Sequence, residues 1–258
     1  MIRIMCLGDV VGSEGISFLR KNGRLGKLKA EYKADLVIAN GENSDDRNGM
    51  SRQSAEELRE TGVDLITGGN HTWKLSDVYG PLDDCGYLVR PANFPGEAPG
   101  MGYRCIDVNG SRVLVINVLG TVFMDPVAPP AVIIDKILKS EPHDVAVCDV
   151  HAESTSEKLF IARYFDGRLS AVFGTHTHVQ TSDAAVLPGG TGYITDLGMC
   201  GSGNGILGVN TEDVIHKFTV QTPVRFRKAE GNCSVQGAVF EIDGSTGRCV
   251  SASSFVRS

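Results

Sequence analysis

The sequence lacks the features of several specialised protein classes. It has no CxxC pair, and its seven cysteines are an odd number, so neither a disulfide framework nor a thiolate zinc site is expected. No apolar run approaches the roughly 18 residues of a membrane-spanning helix. The first residues have neither the apolar core nor the small-residue cleavage site of a signal peptide. We therefore expect a cytoplasmic protein that does not associate with a membrane.

Basic charge is also scarce, since 25 Lys and Arg face 31 Asp and Glu, for a net charge of −6. A protein that binds duplex nucleic acid by neutralising phosphates carries an excess of basic residues, so no such partner is expected. Linkers, repeats and low-complexity segments are absent, and 258 residues are enough for a sizeable core. We predict a single domain over residues 1–258. Glycine alone is abundant, at 31 residues, which indicates many tight turns or close backbone approaches.

A short apolar run recurs five times, and a residue able to bind a metal follows it each time. The runs are Ile2–Gly8, Leu36–Gly41, Leu65–Gly69, Val145–Val150 and Ala171–Gly174. Such runs are typical of central strands that are covered on both faces. The residues that follow them are Asp9, Glu42, Asn70, His151 and His176-Thr177-His178. Because ligands of open α/β sheets bind beyond the carboxyl ends of the strands, we predict an α/β fold with a site where these ends meet.

Helix and turn signals lie between the apolar runs. Capping-box patterns at 54–57 and 154–157 predict two helix starts, and Pro129-Pro130 predicts a third. Asn109-Gly110 predicts a β-hairpin, and the alternating pattern from Phe218 onward predicts antiparallel strands. Together these signals predict two mixed sheets that pack face to face beneath outer helices.

His176-Thr177-His178 is the sharpest local feature. In an extended segment, residues i and i+2 share a face, so both imidazoles can reach one centre, although two polar loop residues would look the same. Oxygen and nitrogen ligands without thiolate favour Mn, Fe or Zn. The full set of strand-end residues is too large for one tetrahedral ion and suits two ions about 3.5–4 Å apart.

The order of these motifs resembles that of the calcineurin-like metallophosphoesterases. Longer matches are similar to the bacterial YmdB-like branch of that superfamily, and they cover Ile38–Asn43, Val89–Pro95, His151–Lys158, Gly174–Thr181 and Tyr193–Met199. The similarity runs from Met1 to about Val239. It implies a four-layer α/β/β/α sandwich and a centre of two metal ions. The oxygen and nitrogen ligands make these divalent transition-metal ions, with Fe or Mn favoured and Zn possible. The resemblance also implies that a metal-activated hydroxide hydrolyses phosphodiesters, including 2′,3′-cyclic nucleotides.

The resemblance further implies which residues bind the ions. The matching positions are Asp9, Glu42, Asn43, Asn70, His151, His176 and His178. Glu42 would bridge the two ions, and Asp9 and His178 would also bind the first ion. Asn70, His151 and His176 would bind the second ion. Val11 stands where the wider superfamily has a histidine ligand, and Asn43 is the substitute in this branch.

Three further residues match the family near the substrate. His71 resembles the general acid that protonates the leaving oxygen, although a histidine that only hydrogen-bonds the ligands is the alternative. Close relatives have Asp at the position of Lys74, which leaves the orientation of His71 open. Arg90 and Asn93 match a family loop and are predicted to contact the substrate.

Other functions stay open at this point. A phosphomonoesterase could use the same centre, and a regulatory protein could use the fold as a binding module with incidental hydrolysis. Metal amidohydrolases also use an HxH motif, but normally after the first barrel strand rather than as late as residue 176. The sequence leaves open the physiological substrate, the native metal and whether the chain forms a homo-oligomer.

Overall fold

The computed structural model describes all residues from 1 to 258. Thirteen strands are present: β1 (Ile2–Leu7), β2 (Asp9–Val10), β3 (Leu36–Asn40), β4 (Leu65–Thr67), β5 (Tyr103–Val108), β6 (Ser111–Leu119), β7 (Val145–His151), β8 (Ala171–Thr175), β9 (Ala185–Val186), β10 (Gly192–Ile194), β11 (Met199–Ser202), β12 (Cys233–Ile242) and β13 (Cys249–Arg257). The α-helices are α1 (Gly12–Arg20), α2 (Arg24–Glu31), α3 (Arg52–Thr61), α4 (Tyr79–Asp84), α5 (Pro130–Ser140), α6 (Thr155–Tyr164) and α7 (Thr211–Thr219). Short 3₁₀ turns cover Lys21–Gly23 and Ser76–Val78.

The strands form two mixed sheets. The first has the order β2-β11-β12-β1-β3-β4, and β13 also pairs with β12. Within it, β1, β3 and β4 are parallel, whereas β12 is antiparallel to β1. The second sheet has the order β5-β6-β7-β8-β10-β9. Its four inner strands β6, β7, β8 and β10 are parallel, and the two outer strands are antiparallel to their neighbours.

Buried apolar side chains form three clusters. One lies between the two sheets, and the other two lie between the outer face of each sheet and the helices that cover it. Ile38 of the first sheet and Val147 of the second belong to one buried cluster between the sheets. Leu19 of α1 joins the cluster on the outer face of the first sheet. Ile134 of α5 and Ile161 of α6 join the cluster on the outer face of the second. This is the predicted four-layer α/β/β/α sandwich, and it explains why the central strands are apolar on both faces.

Most local predictions are confirmed. The five apolar runs form β1, β3, β4, β7 and β8. Asn109 and Gly110 connect β5 to β6 with positive φ angles of 55° and 83°, as a tight hairpin turn requires. Helix α5 begins at Pro130, as the Pro-Pro pair predicted.

Both predicted capping boxes were wrong. The box of α3 starts three residues earlier, where Ser51 and Ser54 each accept the backbone N–H of the other. The predicted start of α6 is confirmed, since Ser154 directly precedes its first residue Thr155, but Ser154 makes no side-chain capping bond. Glu157 is drawn away from it, because its carboxylate accepts the backbone N–H of Thr121 at 2.9 Å. A neighbouring loop thus competes with the local capping pattern.

The predicted antiparallel strands at the C-terminal end are confirmed as β12 and β13, but their predicted start at Phe218 was wrong, since Phe218 lies in α7 and the strands begin at Cys233. Asn210 causes the difference, because its side chain accepts the backbone N–H groups of Glu212 and Asp213 and so caps α7. None of the helices combines the length and apolar character that a membrane crossing requires.

Candidate metal centre

The carboxyl ends of strands from both sheets meet at one place. The first sheet contributes the residues at the start of β2 and just after β3 and β4, which are Asp9, Glu42, Asn43, Asn70 and His71. The second sheet contributes the last residue of β7 and two residues after β8, which are His151, His176 and His178. One side of the cluster therefore carries mainly oxygen atoms, and the other carries imidazole nitrogens.

Glu42 lies between the two sides and is fully buried. Its Oε1 is 3.2 Å from His151 Nε2, and its Oε2 accepts the backbone N–H of His71 at 2.8 Å. His151 Nε2 is also 3.0 Å from Asn70 Oδ1 and 3.1 Å from His176 Nδ1. Ligand atoms of Glu42, His151 and His176 all lie within 4.8 Å of one another. This spacing and donor set suit a divalent transition metal.

Asp9 gives an independent sign that a cation belongs here. Its Oδ2 accepts the backbone N–H of His176 at 3.0 Å. Its buried Oδ1 has no hydrogen-bond partner and lies 3.6 Å from His178 Nε2. A buried carboxylate oxygen without a partner is costly unless a cation compensates it. The residues present therefore fit a metal ion.

Asn43 links the oxygen side to the rim of the site. Its Nδ2 donates to Glu42 Oε1 at 3.0 Å and lies 3.3 Å from His178 Nε2. Its Oδ1 accepts from His71 Nδ1 at 2.9 Å. The seven residues predicted to bind metal thus lie in one connected network, with His71 at its edge.

His71 is oriented by Asn43 rather than by residue 74. The His71 ring is 23% exposed, and its Nδ1 is also 3.4 Å from Glu42 Oε1. Lys74 is exposed. Its hydrogen bond to His71 runs from the Lys74 backbone N–H to the His71 carbonyl oxygen, at 3.0 Å, and does not involve the lysine side chain. The lysine therefore leaves the His71 ring in place, because an amide oxygen supplies the acceptor.

His176 and His178 reach the site in a way that the sequence did not predict. Strand β8 ends at Thr175, and the two histidines have positive φ angles of 101° and 62°. The expectation of an extended HxH segment was therefore wrong. Residues other than glycine are strained in this region of φ and need surrounding contacts to hold them there. One such contact joins His178 Nδ1, which donates, to the carbonyl oxygen of Leu207 at 2.9 Å.

Gly69 allows the two sides to approach each other. A Cβ atom at this position would lie 2.2 Å from Glu42 Oε2 and 2.4 Å from His151 Nε2. Any side chain here would displace the two groups that join the sheets. This is one of the close approaches that the high glycine content indicated.

A buried network behind His151 was missed in the sequence. Thr175 Oγ1 donates its single hydrogen to Asp149 Oδ1 at 2.7 Å, so it accepts from His151 Nδ1 at 2.9 Å. Nδ1 is therefore the nitrogen that keeps its proton when a metal is bound, and Nε2 is available to the metal. Asp149, a fully buried charge inside an apolar strand, was the signal available in the sequence.

Burial and charge shift the titration of the cluster. Burial lowers the pKa of His151, but the negative charges of Glu42 and Asp9 outweigh burial and raise this pKa to about 9. Burial, together with the neighbouring His151, lowers the pKa of His176 to about 4. Burial raises the pKa of Glu42, but His151 and His71 outweigh it and hold this pKa well below its usual range. In the metal-free protein, a proton on His151 therefore offsets the negative charge of the carboxylates, and a bound cation would take the place of this proton.

Arg90 and Asn93 lie outside this network. The Arg90 guanidinium donates to four backbone carbonyl oxygens of the loop 91–99. Asn93 Nδ2 donates to the carbonyl oxygen of Leu119 at 2.7 Å, and Asn93 Oδ1 accepts from the backbone N–H of Leu119 at 2.8 Å. Both side chains are buried and brace the protein backbone. Their predicted contact with substrate stays a prediction, and these hydrogen bonds give it no support.

Comparison with known proteins agrees with this geometry. A model of the YmdB-like protein family matches residues 5–255. The chain is 44% identical over 253 residues to a 2′,3′-cyclic-nucleotide 2′-phosphodiesterase of Bacillus subtilis. The aligned region covers 96% of this chain and 94% of the relative. A hypothetical protein from Thermus thermophilus has a crystal structure with a TM-score of 0.93 and 41% identity, with 99% of both chains covered. A 5′-nucleotidase precursor from the same species shares the fold, with a TM-score of 0.60 and 12% identity over 99% of this chain and 54% of that one.

Proposed function

The chain belongs to the YmdB-like family, and from this premise we propose that it is a metal-dependent phosphodiesterase that hydrolyses 2′,3′-cyclic nucleotides. The observation that carries the proposal is the meeting of Glu42, His151 and His176 within 4.8 Å, beside the unpartnered carboxylate oxygen of Asp9. A mixed oxygen and nitrogen site of this kind is common in hydrolytic metalloenzymes. The substrate class comes from the activity in the name of the Bacillus subtilis relative.

The site is proposed to hold two divalent transition-metal ions. Glu42 would contact both ions, and Asp9, Asn43 and His178 would bind one of them. Asn70, His151 and His176 would bind the other. The share of carboxylate and amide oxygens favours Mn or Fe over Zn. When bound, such ions lower the pKa of a water molecule and neutralise charge on phosphoryl oxygens.

His71 is proposed as the general acid. Its Nδ1 is held by Asn43, so Nε2 is the ring nitrogen that can carry a proton towards the substrate. The ring is partly exposed at the edge of the cluster, where a leaving oxygen can approach it. A proton transferred from Nε2 to that oxygen would let the leaving group depart as an alcohol instead of as an alkoxide.

Substrate turnover tests the proposal against its alternatives. Metal-free protein is reloaded with Mn²⁺ or Fe²⁺ and assayed on 2′,3′-cyclic AMP, with 3′,5′-cyclic AMP for comparison. We expect metal-dependent conversion of the 2′,3′ substrate to a nucleoside monophosphate. The variant His143→Ala serves as a control, because His143 bonds only the nearby carbonyl oxygen of Glu141.

Two outcomes would contradict the proposal. Faster hydrolysis of mono-nitrophenyl phosphate than of bis-nitrophenyl phosphate would favour a phosphomonoesterase. No hydrolysis of any of these substrates by fully metal-loaded protein would favour a regulatory protein that uses the fold as a binding module. The single domain over residues 1–258, the cytoplasmic location and the exclusion of duplex nucleic acid stay predictions.

A further inference from the structure

A buried ion pair joins two of the sequence motifs through two residues, Lys158 and Asp196, that the proposed reaction does not use. Lys158 lies in α6, and Asp196 follows β10. Their side chains are 0% and 1% exposed, and Lys158 Nζ lies 2.7 Å from Asp196 Oδ2. Lysine is almost never fully buried, because its charge must leave water. This arrangement therefore needs a specific reason.

Asp196 connects the pair to the metal cluster. Its Oδ2 also accepts the backbone N–H of Thr177 at 3.2 Å, and Thr177 is the residue between the two loop histidines. Its Oδ1 accepts the backbone N–H of Gly198 at 2.9 Å. The carbonyl oxygen of Gly198 in turn accepts the backbone N–H of Asp9 at 3.1 Å. One carboxylate thus holds the histidine loop and, through Gly198, the strand that carries Asp9.

The histidine loop needs such support because both of its histidines have positive φ angles. Lys158 packs closely against β8, the strand that leads into this loop, since a Cβ atom on Gly174 of β8 would lie 2.6 Å from Lys158 Cδ. In proteins generally, replacing a buried ion pair by an apolar pair of similar volume is often neutral or stabilising, so stability alone does not account for this pair. What an apolar pair could not provide is a buried acceptor for the Thr177 N–H.

We propose that the Lys158–Asp196 pair positions the His176-Thr177-His178 loop for metal binding. Asp196 acts through the Thr177 N–H, and Lys158 compensates the charge of the buried Asp196 carboxylate. Asp196 is the positioning residue, and neither side chain is assigned to the metal. The inference rests on the metal ligands of the proposed function but not on its substrate.

Two double variants separate positioning from simple stabilisation. Both carry Lys158→Met, which removes the buried positive charge. One adds Asp196→Asn, which keeps an oxygen acceptor for Thr177, and the other adds Asp196→Leu, which removes the acceptor. The binding of Mn²⁺ to each metal-free protein is measured by calorimetric titration. We expect the leucine variant to bind Mn²⁺ about 10–100-fold more weakly, and the asparagine variant to stay close to the wild type.

Ile161→Ala is the matched control, because Ile161 is buried in the same helix but packs in the outer cluster of the second sheet. Melting temperatures of all variants show how far each is destabilised. Equal Mn²⁺ affinity in the two double variants would overturn the proposal. So would a leucine variant that binds Mn²⁺ as well as Ile161→Ala does. Either result would mean that the pair only stabilises the fold.

A second measurement needs no substitution. In the metal-free wild type, the Thr177 amide should exchange its hydrogen at least about 100-fold more slowly than in an unstructured peptide. Exchange at the unstructured rate would overturn the proposal even if the double variants fail to fold. Neither measurement involves turnover, so a wrong substrate assignment would leave both results unchanged. A wild type that binds no Mn²⁺ would instead refute the metal centre and this inference together.

Discussion

The two sheets build their shares of the metal cluster in different ways. Asp9 is the first residue of β2 and Glu42 follows β3 by two residues, so strand pairing fixes the backbone at or next to both. Two of the three histidines of the second sheet stand on a strained loop, and His151 depends on the hydroxyl of Thr175 for its orientation. The oxygen side is therefore set by regular structure, whereas the histidine side is set by contacts with distant segments.

The largest effect is expected at Glu42, because it joins the two sides. Glu42→Gln keeps the shape of the side chain, but a neutral amide cannot offset two dications. Metal and activity should therefore disappear together, with a loss of turnover beyond the roughly 10⁴-fold limit of general acid catalysis. Elemental analysis and assays on one preparation check this. A variant with both metals and near-normal turnover would assign the bridge to another residue.

A smaller effect is expected at His71, which contacts the oxygen side but is not assigned to either ion. His71→Ala should keep both metals and reduce turnover of a 2′,3′-cyclic nucleotide by about 10²–10⁴-fold. The loss on bis-nitrophenyl phosphate should be much smaller, because nitrophenolate hardly needs a proton to leave. Equal losses on both substrates would argue against the general acid. If metal is also lost, His71 is a ligand, and if metal is retained, His71 positions the phosphate.

The histidine side should be sensitive to a single hydroxyl group. Thr175→Val keeps the volume but removes the acceptor for His151 Nδ1, so Mn²⁺ affinity should fall by about 10–100-fold. Thr67→Val is the control, because Thr67 also donates to Asp149 but does not contact His151. Calorimetric titration of both variants gives the comparison. The same affinity in both would show that His151 is oriented by something other than Thr175.

The smallest effect concerns pH and requires removal of the metal. The pKa of His151 is raised to about 9 in the folded protein, above the value of about 6.5 in an unfolded chain. Its proton therefore stabilises the fold fully below pH 6.5, and this stabilisation is lost as the pH rises to 9. The melting temperature of the metal-free protein should fall over this interval, and less so with saturating Mn²⁺. A constant melting temperature without metal would mean that His151 is already neutral.

Strands and helix starts were easier to predict than the side-chain bonds that cap the helices. Short apolar runs identified β3 and β7 correctly, since a central strand must be apolar over its whole length to be covered on both faces. Capping patterns failed at Ser54 and Ser154 because several nearby hydroxyl and carboxyl groups compete for the same backbone N–H groups. The sequence also did not indicate that the Arg90 guanidinium donates to backbone carbonyl oxygens of the loop 91–99, because residue type alone does not show which groups surround a side chain.

The order of residues along the chain was enough to indicate the fold class and the chemistry of the site. A polar residue directly after an apolar strand, such as Glu42 or His151, must lie at the edge where parallel strands end. Three-dimensional packing alone decided the backbone of the histidine loop, the bond between His151 and Thr175, and the meeting of Lys158 with Asp196. The last of these depends on contacts between segments far apart in the chain, and the positive φ angles of the loop depend on the contacts that hold it. Local periodicity carries no record of such contacts, which explains why only the folded protein reveals them.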